Sequence, residues 1–311
     1  MRISWFNLVL TSFLLAMLFL SYSYIEVPGT AEEQSSQKEL TTEDRTLPQV
    51  VQSVSLNKDF YFAGERMPLE TADVRERLEK ELLVNSYRHS STLGYLKLMP
   101  RYFPLIENIL RQEGLPDDFK YLAVAESGLE QAVSPSGAKG IWQFLKGTAI
   151  EQGLMVSNEI DERYHVEKST RAACRYLKQL HERFGSWTLA AAAYNMGFSA
   201  LSKDLDLQKE SSYYNMNLSR ETMRYIFRIV ALKEVHQNTN QYGYYMQPTD
   251  YYAPMDNVQV VPVESSVESL ADLAHEHGAS YRDLKVYNPW LLDHRLVNSA
   301  KKTYYIQLPR K

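Results

Sequence analysis

Residues Tyr121-Leu122-Ala123-Val124-Ala125-Glu126-Ser127-Gly128 decide how this chain is read. They close a helical pattern that opens at Pro116-Asp117-Asp118, where acidic side chains suit the positive end of a helix, and stops at Gly128. Phe119, Leu122, Ala123 and Val124 supply its apolar face. Glu126 falls in the last turn among apolar neighbours. The helix dipole opposes a negative charge there, and desolvation opposes it further. The Glu126 carboxyl is therefore expected to be biased toward its protonated form. A carboxylic acid held neutral near pH 7 is what a general acid requires. A water-exposed glutamate in a last turn is the commoner case, so the rest of the chain has to separate the two.

Outward from Glu126 the periodicity is helical. A pattern starts near Thr71 with Val74, Leu78, Leu82 and Leu83 on one face. A second runs over residues 101–113, with Phe103, Leu105, Ile106, Ile109 and Leu110 inward and Gly114 as its stop. Residues 167–184 and 187–196 follow, ending at Gly185 and Gly197. Ser219 caps a last helix reaching about His236. No alternating strand interrupts residues 71–237, so the body is expected to be all-α. After Gln247-Pro248 the pattern changes. Residues 258–263 and 304–308 read as strands, with short helices over 269–277 and 281–287 between them. The expected fold class is mainly α: an all-α body followed by a small C-terminal βααβ module.

Composition narrows the function. The chain has 311 residues, a formal net charge of −4 and no basic stripe, which excludes a nucleic-acid binder. Its one cysteine, Cys174, permits no intramolecular disulfide and no cysteine zinc cluster, and it reads as core filler. His275-Glu276-His277 lacks a ligand set and reads as a solvated face, so no metal is expected. There is no P-loop, Gly-x-Ser-x-Gly elbow or dinucleotide fingerprint, so no cofactor is expected either. The 22 tyrosines suit sugar stacking and equally suit half-buried surfaces. Met1-Arg2 precedes an uncharged apolar segment, so residues 1–25 read as a secretory signal or an uncleaved membrane anchor. Residues 26–57, rich in Glu, Gln, Ser and Thr, read as a linker. The body then spans 58–247 and the tail 256–309.

Two further segments carry polar groups among aromatics: Ser134-Pro135-Ser136-Gly137-Ala138-Lys139-Gly140-Ile141-Trp142-Gln143-Phe144, and Ala191-Ala192-Ala193-Tyr194-Asn195-Met196-Gly197. Taken singly, each reads as a turn, a core aromatic or a cap. Together Glu126-Ser127, Gly140-Ile141-Trp142-Gln143 and Ala193-Tyr194-Asn195, in this order and spacing, resemble the three motifs of the lytic transglycosylases, glycoside hydrolase family 23. The segments Phe62-Ala63-Gly64-Glu65-Arg66-Met67-Pro68-Leu69 and Asp161-Glu162-Arg163-Tyr164 narrow the resemblance to the membrane-bound lytic murein transglycosylase D type. It covers about residues 60–237.

The resemblance implies a lysozyme-like catalytic domain acting on peptidoglycan glycan strands outside the cytoplasm. It makes Glu126 the sole catalytic acid and base, with Ser127 supporting its turn. Ser134 or Ser136 matches the serine that contacts the sugar N-acetyl side, and Gln143 the glutamine that lines the cleft. Tyr194 matches the tyrosine beside the acid, with its hydroxyl bonded to the carboxyl or to the sugar, and Asn195 completes that motif. Glu221, Thr222 and Tyr225 resemble a later motif that closes the cleft, and Gly140 allows close approach in the loop. A single carboxylate implies substrate assistance: Glu126 protonates the glycosidic oxygen, the muramoyl N-acetyl group stabilises the anomeric carbon, and the 6-hydroxyl closes a 1,6-anhydro ring. The tail resembles a LysM module that binds N-acetylglucosamine polymers, through Leu270-Ala271-Asp272-Leu273-Ala274, Leu284, Asn288-Pro289 and Ile306-Gln307-Leu308-Pro309. It lacks the usual glycines at Ser265-Ser266-Val267 and Ala300, and it is expected to serve binding rather than chemistry. Two other readings stay open. One is a lysozyme-like hydrolase with Asp161 or Glu162 as second acid; the other is a non-catalytic cell-wall binding protein.

Overall fold

The computed structural model describes residues 51–299 and 301–310. The expected signal or anchor, most of the expected linker, and Ala300 lie outside the described residues. The described chain opens on a hairpin of β1 (Tyr61–Phe62) and β2 (Glu65–Arg66), paired antiparallel. Its two-residue turn needs positive φ at both positions, which Ala63 and Gly64 adopt at 52° and 83°. Asp118 accepts the Ala63 N–H at 2.7 Å and ties the hairpin to the start of the Glu126 helix.

The body is helical, as its periodicity requires: α1 (Ala72–Tyr87), α2 (His89–Glu113), α3 (Lys120–Ser127), α4 (Lys146–Glu151), α5 (Val166–Phe184), α6 (Trp187–Met196), α7 (Phe198–Gln208) and α8 (Arg220–Gln237). Helix α1 packs along α8, α3 also rests on α8, and α5 packs against α6. Ser219 caps α8, its hydroxyl accepting the Thr222 N–H. The apolar faces meet in one core that includes Phe119, Tyr121, Trp142, Cys174, Tyr225 and Phe227.

Three helical expectations are corrected. Helix α2 begins at His89, not near residue 101, and runs through Pro100 and Pro104. A proline inside a helix costs about 3 kcal/mol relative to alanine. Here Thr92, Tyr95, Leu96 and Met99 extend the buried stripe of Phe103, Ile106 and Leu110 back across that break, and packing overrides propensity. Leu105 is exposed rather than inward; two residues past Phe103, it is turned roughly 200° from the buried face. Helix α7 starts directly after Gly197, where the pattern was expected to stop.

The C-terminal module has the expected order: β3 (Val258–Val263), α9 (Leu270–Glu276), α10 (Tyr281–Tyr287) and β4 (Tyr304–Pro309). The strands pair antiparallel, with Val261 opposite Ile306. Leu270, Ala274, Leu284, Trp290, Leu296, Ile306 and Leu308 form its core. Buried Asn288 fastens α10 to β4: its amide donates to the Gln307 carbonyl at 2.6 Å and accepts the Gln307 N–H at 2.9 Å. Among the described residues no helix is long and apolar enough to cross a membrane.

Candidate active site

Helix α3 ends as its sequence dictates, with Gly128 at φ 65° in the left-handed conformation. This leaves Glu126 in the last turn, partly open to solvent but closely packed by protein. From α8 comes Tyr225, fully buried, whose hydroxyl donates to Glu126 Oε1. Burial pushes the Glu126 carboxyl up to about 7. The Tyr225 hydrogen bond pulls the other way, Glu221 adds a further upward push, and Arg228 opposes it. The Tyr225 phenol is itself raised by burial and by the facing carboxylate, so it remains a donor across the physiological range.

Ser127 joins this helix end to the loop that follows. Its hydroxyl accepts the Leu129 N–H at 3.1 Å and lies 2.9 Å from the Ile141 carbonyl. The loop over 131–144 folds back on itself through short bridges of Val133 and Phe144 to Lys139. Ser134 and Ser136 sit together in its outer turn, hydroxyls 2.9 Å apart, and Ser134 accepts the Ala138 N–H. Gln143 adopts a positive φ of 48°. Its side-chain amide donates to the Gly140 and Ala132 carbonyls at 2.7 and 3.1 Å, which fixes its orientation from within the loop.

Helix α6 supplies Tyr194 and Asn195. The Tyr194 hydroxyl does not bond to Glu126. It donates to the Trp142 carbonyl at 2.7 Å, and its ring meets the Phe144 ring edge-on. The turn at Gln143 presents that carbonyl to a buried donor that needs an acceptor. Tyr225, not Tyr194, thus holds the carboxyl. Asn195 accepts the Thr222 hydroxyl at 2.8 Å and donates to exposed Glu221 at 3.3 Å, linking α6 to the first turn of α8.

Arg163 is a residue that the sequence reading used only as part of a type marker. Its guanidinium grips Asp161 with two nitrogens, at 2.9 and 2.7 Å, and donates with the third to the Gly137 and Phe144 carbonyls, both at 3.1 Å. Those carbonyls bracket the Gly140–Gln143 run. Gly140 lies against the Arg163 backbone: a Cβ there would sit 2.0 Å from the Arg163 carbonyl oxygen. An arginine two residues after an aspartate in a stretch without periodicity was the available signal.

The two acids of the hydrolytic reading are both committed elsewhere. Burial pushes Asp161 up, but the hydrogen bonds and charge of Arg163 outweigh it and hold Asp161 below the usual carboxylate range. Glu162 accepts the Met155 N–H at 2.8 Å and pairs with Lys168 at 2.5 Å. Cys174 is buried and its thiol is pushed up to about 12 by desolvation, which leaves it unreactive. Among the described residues no group of His, Cys, Asp and Glu could hold a metal ion.

Residues 103–217, which contain Glu126, Gln143, Tyr194 and Asn195, match the Transglycosylase SLT domain family. Residues 259–311 match the soluble lytic transglycosylase C-terminal LysM-like domain. The chain is 29% identical over 259 residues to membrane-bound lytic murein transglycosylase D of Escherichia coli K12, covering 80% of this chain and 55% of that protein. Over 132 residues it is 28% identical to membrane-bound lytic murein transglycosylase F of Alcanivorax borkumensis, covering 38% of this chain and 27% of that one. It spans about half the length of the first of these and about a quarter of the second. The 70 kDa soluble lytic transglycosylase of Escherichia coli superposes with a TM-score of 0.39 and 20% identity, over 49% of this chain and 27% of that one. The two family matches, in chain order, show that this protein carries a transglycosylase SLT domain followed by a LysM-like C-terminal domain.

Proposed function

We propose that this protein is an exported peptidoglycan lytic transglycosylase that cleaves the β-1,4 bond from N-acetylmuramic acid to N-acetylglucosamine and leaves 1,6-anhydro ends. One observation carries the reading: a single packed carboxyl, Glu126, held near neutrality at about 7 by desolvation and gripped by the Tyr225 hydroxyl. Such a group donates a proton and recovers one in the same cycle.

Protonated Glu126 delivers its proton to the glycosidic oxygen. The muramoyl N-acetyl group supports the anomeric carbon as the bond breaks, in place of the second carboxylate that most glycosidases use. Tyr225 then stabilises the Glu126 carboxylate through its hydrogen bond. That carboxylate takes the proton from the muramoyl 6-hydroxyl as its oxygen closes the ring, and no water is consumed. Gln143, Tyr194, Asn195 and the serine pair Ser134 and Ser136 contact the sugars. Ser127, Gly140, Glu221 and Thr222 support the framework. The commitment of Asp161 and Glu162 to ion pairs weighs against a hydrolytic second acid.

Residues 58–247 act as the catalytic domain, and residues 256–309 as a LysM-like module that meets glycan. Residues 1–25 direct the chain out of the cytoplasm, as a cleaved signal or a retained membrane anchor. The membrane-bound relatives support an extracytoplasmic place of work. Mass spectrometry of peptidoglycan digested by purified residues 26–311 tests the reaction. Release of 1,6-anhydro-muropeptides is expected; reducing-end muramic acid in their place makes the enzyme a hydrolase, and no release at all leaves a binding protein.

A further inference from the structure

The C-terminal module is docked onto the catalytic body through the segment that holds the Gly140 loop. Ile160 and Leu291 form an antiparallel bridge, with the Asp161 N–H donating to the Trp290 carbonyl at 2.9 Å and the Leu292 N–H to the Glu159 carbonyl at 2.8 Å. Ile160 is buried in the module's own core, and Met155 and Tyr164 pack against it. The Trp290 ring lies between two others, His165 at 5.7 Å and Tyr304 at 5.9 Å, and the Tyr304 hydroxyl reaches the Met155 sulfur. Adjacent to these contacts are Asp161 and Arg163. Arg163, gripped by Asp161, donates to the Gly137 and Phe144 carbonyls and so braces the 137–144 loop, and the Arg163 backbone fills the space that Gly140 leaves. Tyr164 accepts from the Gln131 amide at 3.2 Å on the same loop. Docking and loop therefore meet in one short segment, residues 155–165.

We propose that the LysM-like module is a buttress of the catalytic centre: its docking on residues 155–165 holds Asp161 and Arg163, and these two positioning residues hold the loop that presents Gln143. A module tethered only for glycan binding has no need of a residue of the catalytic body inside its core, and here Ile160 fills that place. The catalytic consequence rests on the reading of Gln143 as a sugar contact; the physical coupling does not.

The test is amide hydrogen exchange on the full chain. The Lys139, Gly140 and Gln143 amides donate to Phe144, Ala132 and Gly140 carbonyls and report the loop directly. In Trp290→Ala, and more fully in the Trp290→Ala/Tyr304→Ala double variant, these amides should exchange about tenfold faster while α8 amides keep their protection. Trp290→Phe, which keeps an aromatic ring on His165 and Tyr304, should restore slow exchange. Turnover of short soluble glycan strands should fall in parallel, mainly through KM. Undiminished loop protection in the double variant overturns the proposal, because the docking rings are then gone. Equal acceleration across α8 overturns it too, because that is a loss of global stability. If the products show that the reaction assignment is wrong, the exchange result still stands or falls by itself.

Discussion

The helix pair that carries Glu126 and the loop that carries Gln143 hold their side chains by different means. Glu126 is set by two helices whose apolar faces pack on each other, and one side-chain bond from Tyr225 completes the placement. Gln143 is set by hydrogen bonds to carbonyls of its own loop, and that loop is set by an arginine twenty residues further on. The first arrangement draws its stability from area removed from water and tolerates a changed polar atom. The second draws it from directional bonds and from one missing Cβ, and it tolerates little. Chemistry should therefore be separable from folding on the helix side, and inseparable from it on the loop side.

The sharpest form of that contrast is Glu126→Gln. The amide keeps the shape and cannot cycle a proton, so the rate should fall about 10²–10⁴-fold with the helical circular dichroism unchanged. Stability should also lose a pH dependence. The folded-state pKa of Glu126 is raised from 4.5 to about 7 by burial, so the proton is held more tightly in the folded chain. Its contribution is fully present below the unfolded value and is lost as pH rises through the folded one. Urea midpoints of the wild type should thus decline between pH 4.5 and about 7 more than those of Glu126→Gln. An active Glu126→Gln protein removes the residue from the chemistry, and parallel pH profiles remove the burial argument.

Gly140→Ala attacks the loop side. The added methyl meets the Arg163 carbonyl at 2.0 Å, and φ at this position is +78°, a region that alanine enters only under strain. Such backbone strain costs about 1–3 kcal/mol, so the urea midpoint and the activity should drop together. A variant that kept full stability would mean that the loop and the Arg163 backbone are not held in contact.

The sequence disclosed the helix side more readily because its signals are local. Apolar spacing, the acids at Asp117 and Asp118 and the glycine stop at Gly128 together place Glu126 in a last turn among apolar neighbours, while the packing of α3 on α8 is what desolvates its carboxyl. Local spacing also misled where a stripe could be drawn two ways, as for Leu105, and where prolines masked a continuous stripe, as in α2. On the loop side the deciding contacts join residues 137, 140 and 144 to residue 163, and neither periodicity nor composition encodes such a pairing. The two tyrosines show the same limit. Tyr194 and Tyr225 are both aromatic residues on apolar helix faces, and only the packing of α3 on α8 decides which hydroxyl meets the carboxyl.

Tyr225→Phe sharpens the comparison from the acid's side, with an effect below that of Glu126→Gln. The hydroxyl donates to the Glu126 carboxyl and favours its charged form, so removing it should move the pKa above about 7. In the proposed mechanism Glu126 acts as an acid when protonated, so the rate of the wild type should fall as pH rises through about 7. In Tyr225→Phe that falling limb should shift to higher pH, while the maximum rate drops because the carboxylate formed during the reaction has lost its donor. A hydrogen bond to a charged group is worth about 1.5–3 kcal/mol, which bounds the rate loss. An unmoved limb would show that Tyr225 serves packing alone.

Tyr194→Phe has the smallest expected effect and tests the joint between the two regions. Its hydroxyl makes no hydrogen bond to the carboxyl and donates to the Trp142 carbonyl, one residue before Gln143, so it fastens helix α6 to the loop. Phenylalanine keeps the ring contacts with Phe144 and Tyr176 and removes that single bond. The loss in stability should be about 1 kcal/mol, the usual net value of one neutral hydrogen bond. The signature that separates a fastening role from an acid-side role is the pH profile. If Tyr194 acts on the loop, KM for glycan rises and the falling limb stays where it is in the wild type. A limb that moves as it does in Tyr225→Phe would place the Tyr194 hydroxyl on the Glu126 carboxyl during the reaction, and the division between a helix-held acid and a loop-held glutamine would have to be redrawn around both tyrosines.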